Sequence, residues 1–285
     1  MSSTMSEKAP DRLKVLERIK EYEEKGWFNK DVEDDPPTIP LTPDKCDYLN
    51  KKLKNKILTW YVNIKAYRFI EKLMREKKLI VKEIKGIENF EAIKDSGMII
   101  TCNHFNAFDN FALHYVFHPY IGTNLYKVIR EGNFTSFPGL YGLFFRHCKT
   151  LPLASSYSCM KLFMEAMDVL LKRGEKVLVY PEQGMWWNYR KPRPTVSGAF
   201  TFAAKSNVPL LPVFITMNDS DLIGDDGFPI QEYTVHISPA VFPKPEFSVH
   251  QNREYMQKEN ERIWKEIYET TYGIPLTYTC DKERE

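Results

Sequence analysis

Two short polar turns carry the side chains best suited to acid–base chemistry. The first lies in the run Met98-Ile-Ile-Thr-Cys-Asn-His-Phe-Asn-Ala-Phe-Asp109, which leaves an apolar strand, crosses a polar turn and enters an aromatic-rich helix. His104 falls in that turn, with four residues between it and Asp109. A neutral imidazole oriented by a carboxylate takes a proton from a hydroxyl as the hydroxyl attacks a carbonyl, and an ordinary histidine titrates in the range this needs. Asp109 also has a purely structural reading. With Asn106 as N-cap it would sit in the first helical turn, where a carboxylate caps backbone N–H groups and favours the helix dipole.

The second turn is Val177-Leu-Val-Tyr-Pro-Glu-Gln-Gly184, again a strand running into a glycine-containing turn, followed by Trp186, Trp187, Arg190, Lys191 and Arg193. Ligands of open α/β sheets bind where strand C-termini meet helix N-termini. Both turns therefore belong at one edge of a sheet, with Glu182 near His104.

The elements that must hold these turns follow from periodicity. Short apolar runs predict strands over 79–84, 97–102, 125–129, 150–153, 176–180, 209–216 and 233–237. Helical patterns over 108–118, 159–172 and 249–270 fall among and after them. This alternation predicts an α/β domain over 79–285, with a central, mostly parallel sheet flanked by helices and preceded by an N-terminal helical extension. Residues 1–45 read as a charged appendage, with a helix near 11–25 and a proline-rich connector holding Pro36, Pro37, Pro40 and Pro43. Residues 46–78 read as a basic amphipathic helix in which Leu49, Leu53, Ile57, Trp60, Tyr61 and Ile64 recur at three- and four-residue steps.

Charge adds to that picture through its distribution. The net charge of +2 gives no reason to expect nucleic acid as a partner, yet the basic helix and its flanks form a cationic segment that favours an anionic membrane surface. No run is apolar enough for a membrane span, and five scattered cysteines without a C-x-x-C pair fit a reducing cytoplasm. The expectation is a cytoplasmic protein held peripherally at the cytoplasmic face of the membrane. The apolar segment from Phe134 to Phe145 reads equally as core and as the wall of an acyl channel.

Other chemistries compete for the same residues. His114 and His118, four apart on a helix, would form with His104 a three-histidine metal site for a hydrolase, although the H-E-x-x-H pattern is missing. Cys102, two residues before His104, raises a Cys–His hydrolase, for which two positions on one strand are poor geometry.

In order and content, Asn103-His104 with Asp109, Tyr180-Pro181-Glu182, Gly198-Ala-Phe and Val208-Pro-Leu-Leu-Pro212 resemble the glycerolipid acyltransferase family typified by 1-acylglycerol-3-phosphate acyltransferases, over residues 80–240. The resemblance implies a glycerol-3-phosphate acyltransferase-like fold, His104 as general base and Asp109 as its orienter. It implies fatty acyl transfer from acyl-CoA or acyl carrier protein to a lysophospholipid or other hydroxyl acceptor in phospholipid biosynthesis, with no metal and no cofactor beyond the acyl donor. A lipid-binding adaptor with a vestigial site is the non-enzymatic alternative.

Two departures stand out. Where the family reads Phe-Pro-Glu-Gly-Thr-Arg, this chain reads Tyr180-Pro-Glu-Gln-Gly-Met185, which moves the glycine and removes the arginine. The family's Ile-Asp-Arg strand end is replaced by Thr150-Leu-Pro-Leu-Ala-Ser155. Candidate acceptor contacts are therefore Glu182, Gly184, a displaced cation among Arg190, Lys191 and Arg193, and Lys127 and Arg130 on the preceding strand.

Overall fold

A computed structural model describes residues 8–283; the first seven residues of the predicted appendage lie outside the described residues. In chain order the elements are α1 (Pro10–Glu24), α2 (Leu53–Arg75), β1 (Ile80–Lys85), α3 (Ile87–Glu91), β2 (Met98–Thr101), α4 (Asp109–Ile121), β3 (Leu125–Arg130), α5 (Glu131–Thr135) and α6 (Gly139–His147). There follow β4 (Thr150–Leu153), α7 (Tyr157–Lys172), β5 (Lys176–Val179), α8 (Gly198–Ser206), β6 (Leu210–Ile223), β7 (Pro229–Ile237) and α9 (Val249–Tyr272).

The strands form one 7-stranded sheet in the order β1-β7-β6-β2-β5-β3-β4. Every pairing is parallel except β6 with β7. β2 and β5, which are buried along their whole length, lie side by side with Thr101 opposite Val179. That register brings the turns after both strands to one edge. Apolar cores cover both faces of the sheet, one against α2 and α4 and the other against α7, α8 and α9.

The first 45 residues are not an appendage. Val15, Ile19 and Val32 are buried in a cluster with Trp186 and Trp187, so this segment completes the core beside the second turn. From Phe28 the chain runs through turns and bends and then, from Asp34, without regular structure as a strap to Leu41. Its carbonyls at Phe28 and Lys30 accept from Arg193 Nη1 at 3.1 Å and Trp186 Nε1 at 2.9 Å. At its far end the Leu41 N–H donates to Glu131 Oε1 at 2.5 Å.

The helix predicted from residue 46 starts only at Leu53, because Asp47 accepts from the backbone of Lys51 and Lys52 and from Asn55, holding a turn in place of the first helical turns. Its faces also differ from a simple amphipathic helix. Val62, Ile70 and Leu73 are buried against the domain, whereas Leu53, Ile57, Trp60 and Tyr61 stand exposed, Leu53 at 72% and Trp60 at 66%. Two apolar stripes share one helix, one buried and the other exposed.

Candidate functional site

His104 leaves the C-terminal end of β2, and its position is fixed from three sides. Asn103, buried beneath it, donates from Nδ2 to the Ile215 carbonyl at 3.0 Å and accepts from the Ile215 N–H at 2.8 Å, which ties the turn to β6. The His104 N–H donates to Glu182 Oε2 at 2.9 Å, which ties it to the turn after β5. The His104 carbonyl accepts from the Trp186 N–H at 3.1 Å.

The imidazole itself is bonded through Nδ1 to Asp109 Oδ2 at 2.7 Å. Because an ionised carboxylate only accepts, that contact assigns the proton to Nδ1 and leaves Nε2 as the basic nitrogen. Asp109 is fully buried and its acceptor sites are used: Oδ2 also accepts from the N–H groups of Phe105 at 3.1 Å and Asn106 at 3.3 Å, and Oδ1 accepts from the Tyr180 hydroxyl at 2.8 Å. The helix opens at Asp109 itself with Phe108 at the N-cap, so Asn106 is not the cap. The Asn106 side chain instead accepts from the Phe108 N–H at 3.0 Å within the turn.

Tyr180 is the residue that reading the sequence overlooked. Its ring lies against the imidazole at a centroid distance of 4.1 Å and an interplanar angle of 21° while its hydroxyl holds Asp109. Burial and the adjacent Asp109 push the phenol well above its usual range, so it stays a donor. The signal was available: the family's motif has phenylalanine at this place, and a tyrosine there brings a buried hydroxyl that must find a partner.

The remaining expected site residues divide into two groups. Glu182 stands beside His104 but does not face open space. Its Oε2 accepts from Arg193 Nη2 at 3.0 Å and its Oε1 from the Arg193 N–H at 2.7 Å, and both side chains are almost completely buried. Arg193 also donates to the Gly184 and His104 carbonyls. Arg193 is therefore an internal brace across the two turns, not a cation displaced toward an acceptor. Arg190 turns away to Asp219 at 2.8 Å, and Lys191 to Glu23 at 2.5 Å. Gln183, at the family's glycine position, has φ 68°, the left-handed region that favours glycine.

The second group shares a cavity of about 990 Å³ with His104. Arg130 lies on its wall next to Gly184, where a Cβ would come within 2.7 Å of Asp31 Oδ1 and 3.3 Å of Arg130 Nη2. Lys127 is deeper, its Nζ 2.7 Å from His114 Nε2. Burial, together with Lys127, holds His114 well below the usual imidazole range, so the ring is neutral and accepts from the ammonium. The apolar wall comes from α2, α4 and α6, including Ile70, Phe111, Tyr141, Phe144 and Phe145. The aromatic segment thus serves as core and as cavity wall at once.

The hydrolase readings do not fit this arrangement. His118 stacks on Tyr67 at 3.7 Å and His114 bonds Lys127, and among the described residues no three His, Cys, Asp or Glu side chains are grouped as a metal requires. Burial, then Asp109 and Glu182, push the Cys102 thiol well above its ordinary range, opposite to what a nucleophile needs.

Residues 82–216, the span that contains both turns, match the family model described as Acyltransferase. Over this segment the chain is similar to the acyltransferase family. A search of curated proteins returned no match. Among solved structures, the fold is similar to that of the 1-acyl-sn-glycerophosphate (LPA) acyltransferase PlsC from Thermotoga maritima, with a TM-score of 0.52 and 19% identity over 90% of this chain and 94% of that one. The acyltransferase segment begins within β1 and ends within β6, so the strap, α1 and the exposed helix α2 lie before it.

Asp109→Asn is expected to lower acyl transfer by about 10²-fold, because a side-chain amide that donates toward Nδ1 favours the wrong imidazole tautomer. Steady-state rates beside a thermal melt check this. A variant that melts earlier yet transfers at the normal rate would reduce Asp109 to a turn-holding residue.

Proposed function

We propose that the protein transfers a fatty acyl group from an acyl thioester, acyl-CoA or acyl carrier protein, to a hydroxyl of a glycerolipid acceptor in phospholipid biosynthesis. 1-Acyl-sn-glycerophosphate is the substrate named for the Thermotoga maritima enzyme of similar fold. The observation that carries this reading is the His104–Asp109 pair at 2.7 Å on the wall of a largely apolar cavity.

The chemistry follows from the two nitrogens. Asp109 holds the Nδ1 proton, and Nε2 removes the proton of the acceptor hydroxyl as its oxygen bonds to the thioester carbonyl carbon. When the tetrahedral intermediate collapses, the C–S bond breaks and the imidazolium returns its proton to the departing sulfur. Tyr180 and Asp109 keep the ring in one orientation throughout, so little of its freedom has to be lost at the moment of reaction. Incubation with a labelled acyl thioester and a panel of lysolipids and glycerol phosphate, followed by product mass, tests the proposal. Absence of an acylated product from either donor class would overturn it.

The exposed apolar stripe of α2 supports peripheral attachment to the cytoplasmic face of an anionic membrane. No helix of the described residues is long and apolar enough to cross one. Leu53, Ile57, Trp60 and Tyr61 would enter the interface while Lys51, Lys52, Lys54 and Lys56, all exposed, contribute about 1 kcal/mol each near anionic headgroups. Sedimentation with anionic vesicles is expected to fall as salt rises and to fall further for Trp60→Ser. Equal binding to neutral and anionic vesicles, insensitive to salt, would exclude this mode.

A further inference from the structure

The strap lines the cavity that also holds His104 and brings carboxylates to it: Asp31 and Asp35 meet Arg130, and Glu33, paired with Arg12, lines it too. Arg130 Nη1 donates to Asp31 Oδ2 at 2.7 Å and to Asp35 Oδ2 at 3.2 Å, while Nη2 donates to Asp31 Oδ1. A guanidinium grips a phosphate with the same two-pronged geometry, and here that fork is filled by the protein's own carboxylate.

The cations that follow the second turn have carboxylate partners: Arg193 is sealed against Glu182, and Arg190 and Lys191 pair with Asp219 and Glu23. Lys127, deeper in the cavity, donates to the neutral His114. Met185, on the cavity wall, stands where the family's arginine would be. Other polar side chains lining the cavity include the amides Asn29, Asn133 and Gln183, which bind without preferring an anion.

We infer that Asp31 and Asp35 are specificity-determining residues that set the acceptor end of this site against phosphomonoesters, so that the preferred acceptor is a glycerolipid whose headgroup has no net negative charge. A phosphomonoester carries up to two negative charges at neutral pH. It would have to displace Asp31 from Arg130 and then sit beside Asp31 and Asp35. An uncharged hydroxyl displaces no ion pair and finds acceptors in the amides and carboxylates of the wall, and a zwitterion brings no net charge against them. The inference rests on the cavity being the acceptor site of an acyltransferase.

Calorimetric titration of the full chain without any acyl donor, using short-chain monoacylglycerol, lysophosphatidylethanolamine and lysophosphatidate below their micelle concentrations, tests the inference independently of turnover. Lysophosphatidate is expected to bind about tenfold more weakly than the better of the other two. In Asp31→Asn/Asp35→Asn its affinity should rise by about tenfold, while that of the better uncharged or zwitterionic ligand stays within about threefold, which also shows that the fold is intact. Should the double variant not fold, Asp35→Asn alone must move the lysophosphatidate ratio in the same direction. The inference is overturned if lysophosphatidate is the tightest ligand of the unaltered chain, if the three ligands are not discriminated, if none binds, or if the substitutions leave the ratio where it was. Failure of acyl transfer with a preserved binding order would overturn the proposed activity and not this selectivity.

Discussion

His104→Ala is expected to lower acyl transfer by about 10²–10⁴-fold with little change in stability, since a positioned general base contributes that much to a proton-transfer step. The asymmetry follows from what the side chain does and does not hold. The bonds that fix the turn run through the His104 backbone, to Glu182, Trp186 and Arg193, and none of them uses the imidazole. Asp109 loses one partner but keeps two backbone N–H groups and the Tyr180 hydroxyl. Steady-state rates with a saturating thioester, read beside a thermal melt of the same preparation, check this expectation. Near-normal turnover in a folded variant would sink the mechanism.

Glu182→Ala is expected to act the other way, destabilising the protein by about 3–5 kcal/mol, the usual consequence of leaving a buried charge without its partner. Arg193 cannot shed its proton and has no water to turn to, and the His104 and Arg193 N–H groups lose their acceptor in the same substitution. Urea denaturation gives the value. Removing the charge as well, in Glu182→Ala/Arg193→Met, should recover part of it, because the isolated cation is then gone. If Glu182→Ala kept full stability and only raised the acceptor's KM, Glu182 would be an acceptor contact and its pairing with Arg193 incidental.

The sheet was legible because its signal is local. All seven strands lie where the apolar runs put them, and the mostly parallel pairing follows from the helices between them. Strand-end reasoning also brought His104 and Glu182 together, since β2 and β5 turned out to be neighbours. Partner choice was not legible. An arginine nine residues beyond Gly184 reads as a cation free to reach an acceptor unless something is known to hold it, and Arg193 donates to the carbonyl of Phe28, which lies 165 positions earlier in the chain. Arg130 meets Asp31 across 99 positions, with no spacing rule to announce the pair. On α2, periodicity identified an apolar stripe correctly but could not tell that Val62, Ile70 and Leu73, on another face, are the ones the domain buries.

The strap has a consequence for the order of assembly. Its contacts reach forward along the chain, from Lys30 to Trp186 and from Leu41 to Glu131, and just ahead of it Glu23 accepts from the Thr279 N–H at 3.0 Å. Loops of such length close late, because their entropy must be overcome before any contact offsets it. During synthesis α1 and the strap emerge before the sheet strands and must therefore wait for the sheet to form before they can dock. Until then Arg130 is without Asp31, and Trp186 and Trp187 are without Val15, Ile19 and Val32. Refolding followed by tryptophan fluorescence should accordingly show burial of these indoles as a phase later than the rise of the far-ultraviolet signal from the helices and sheet.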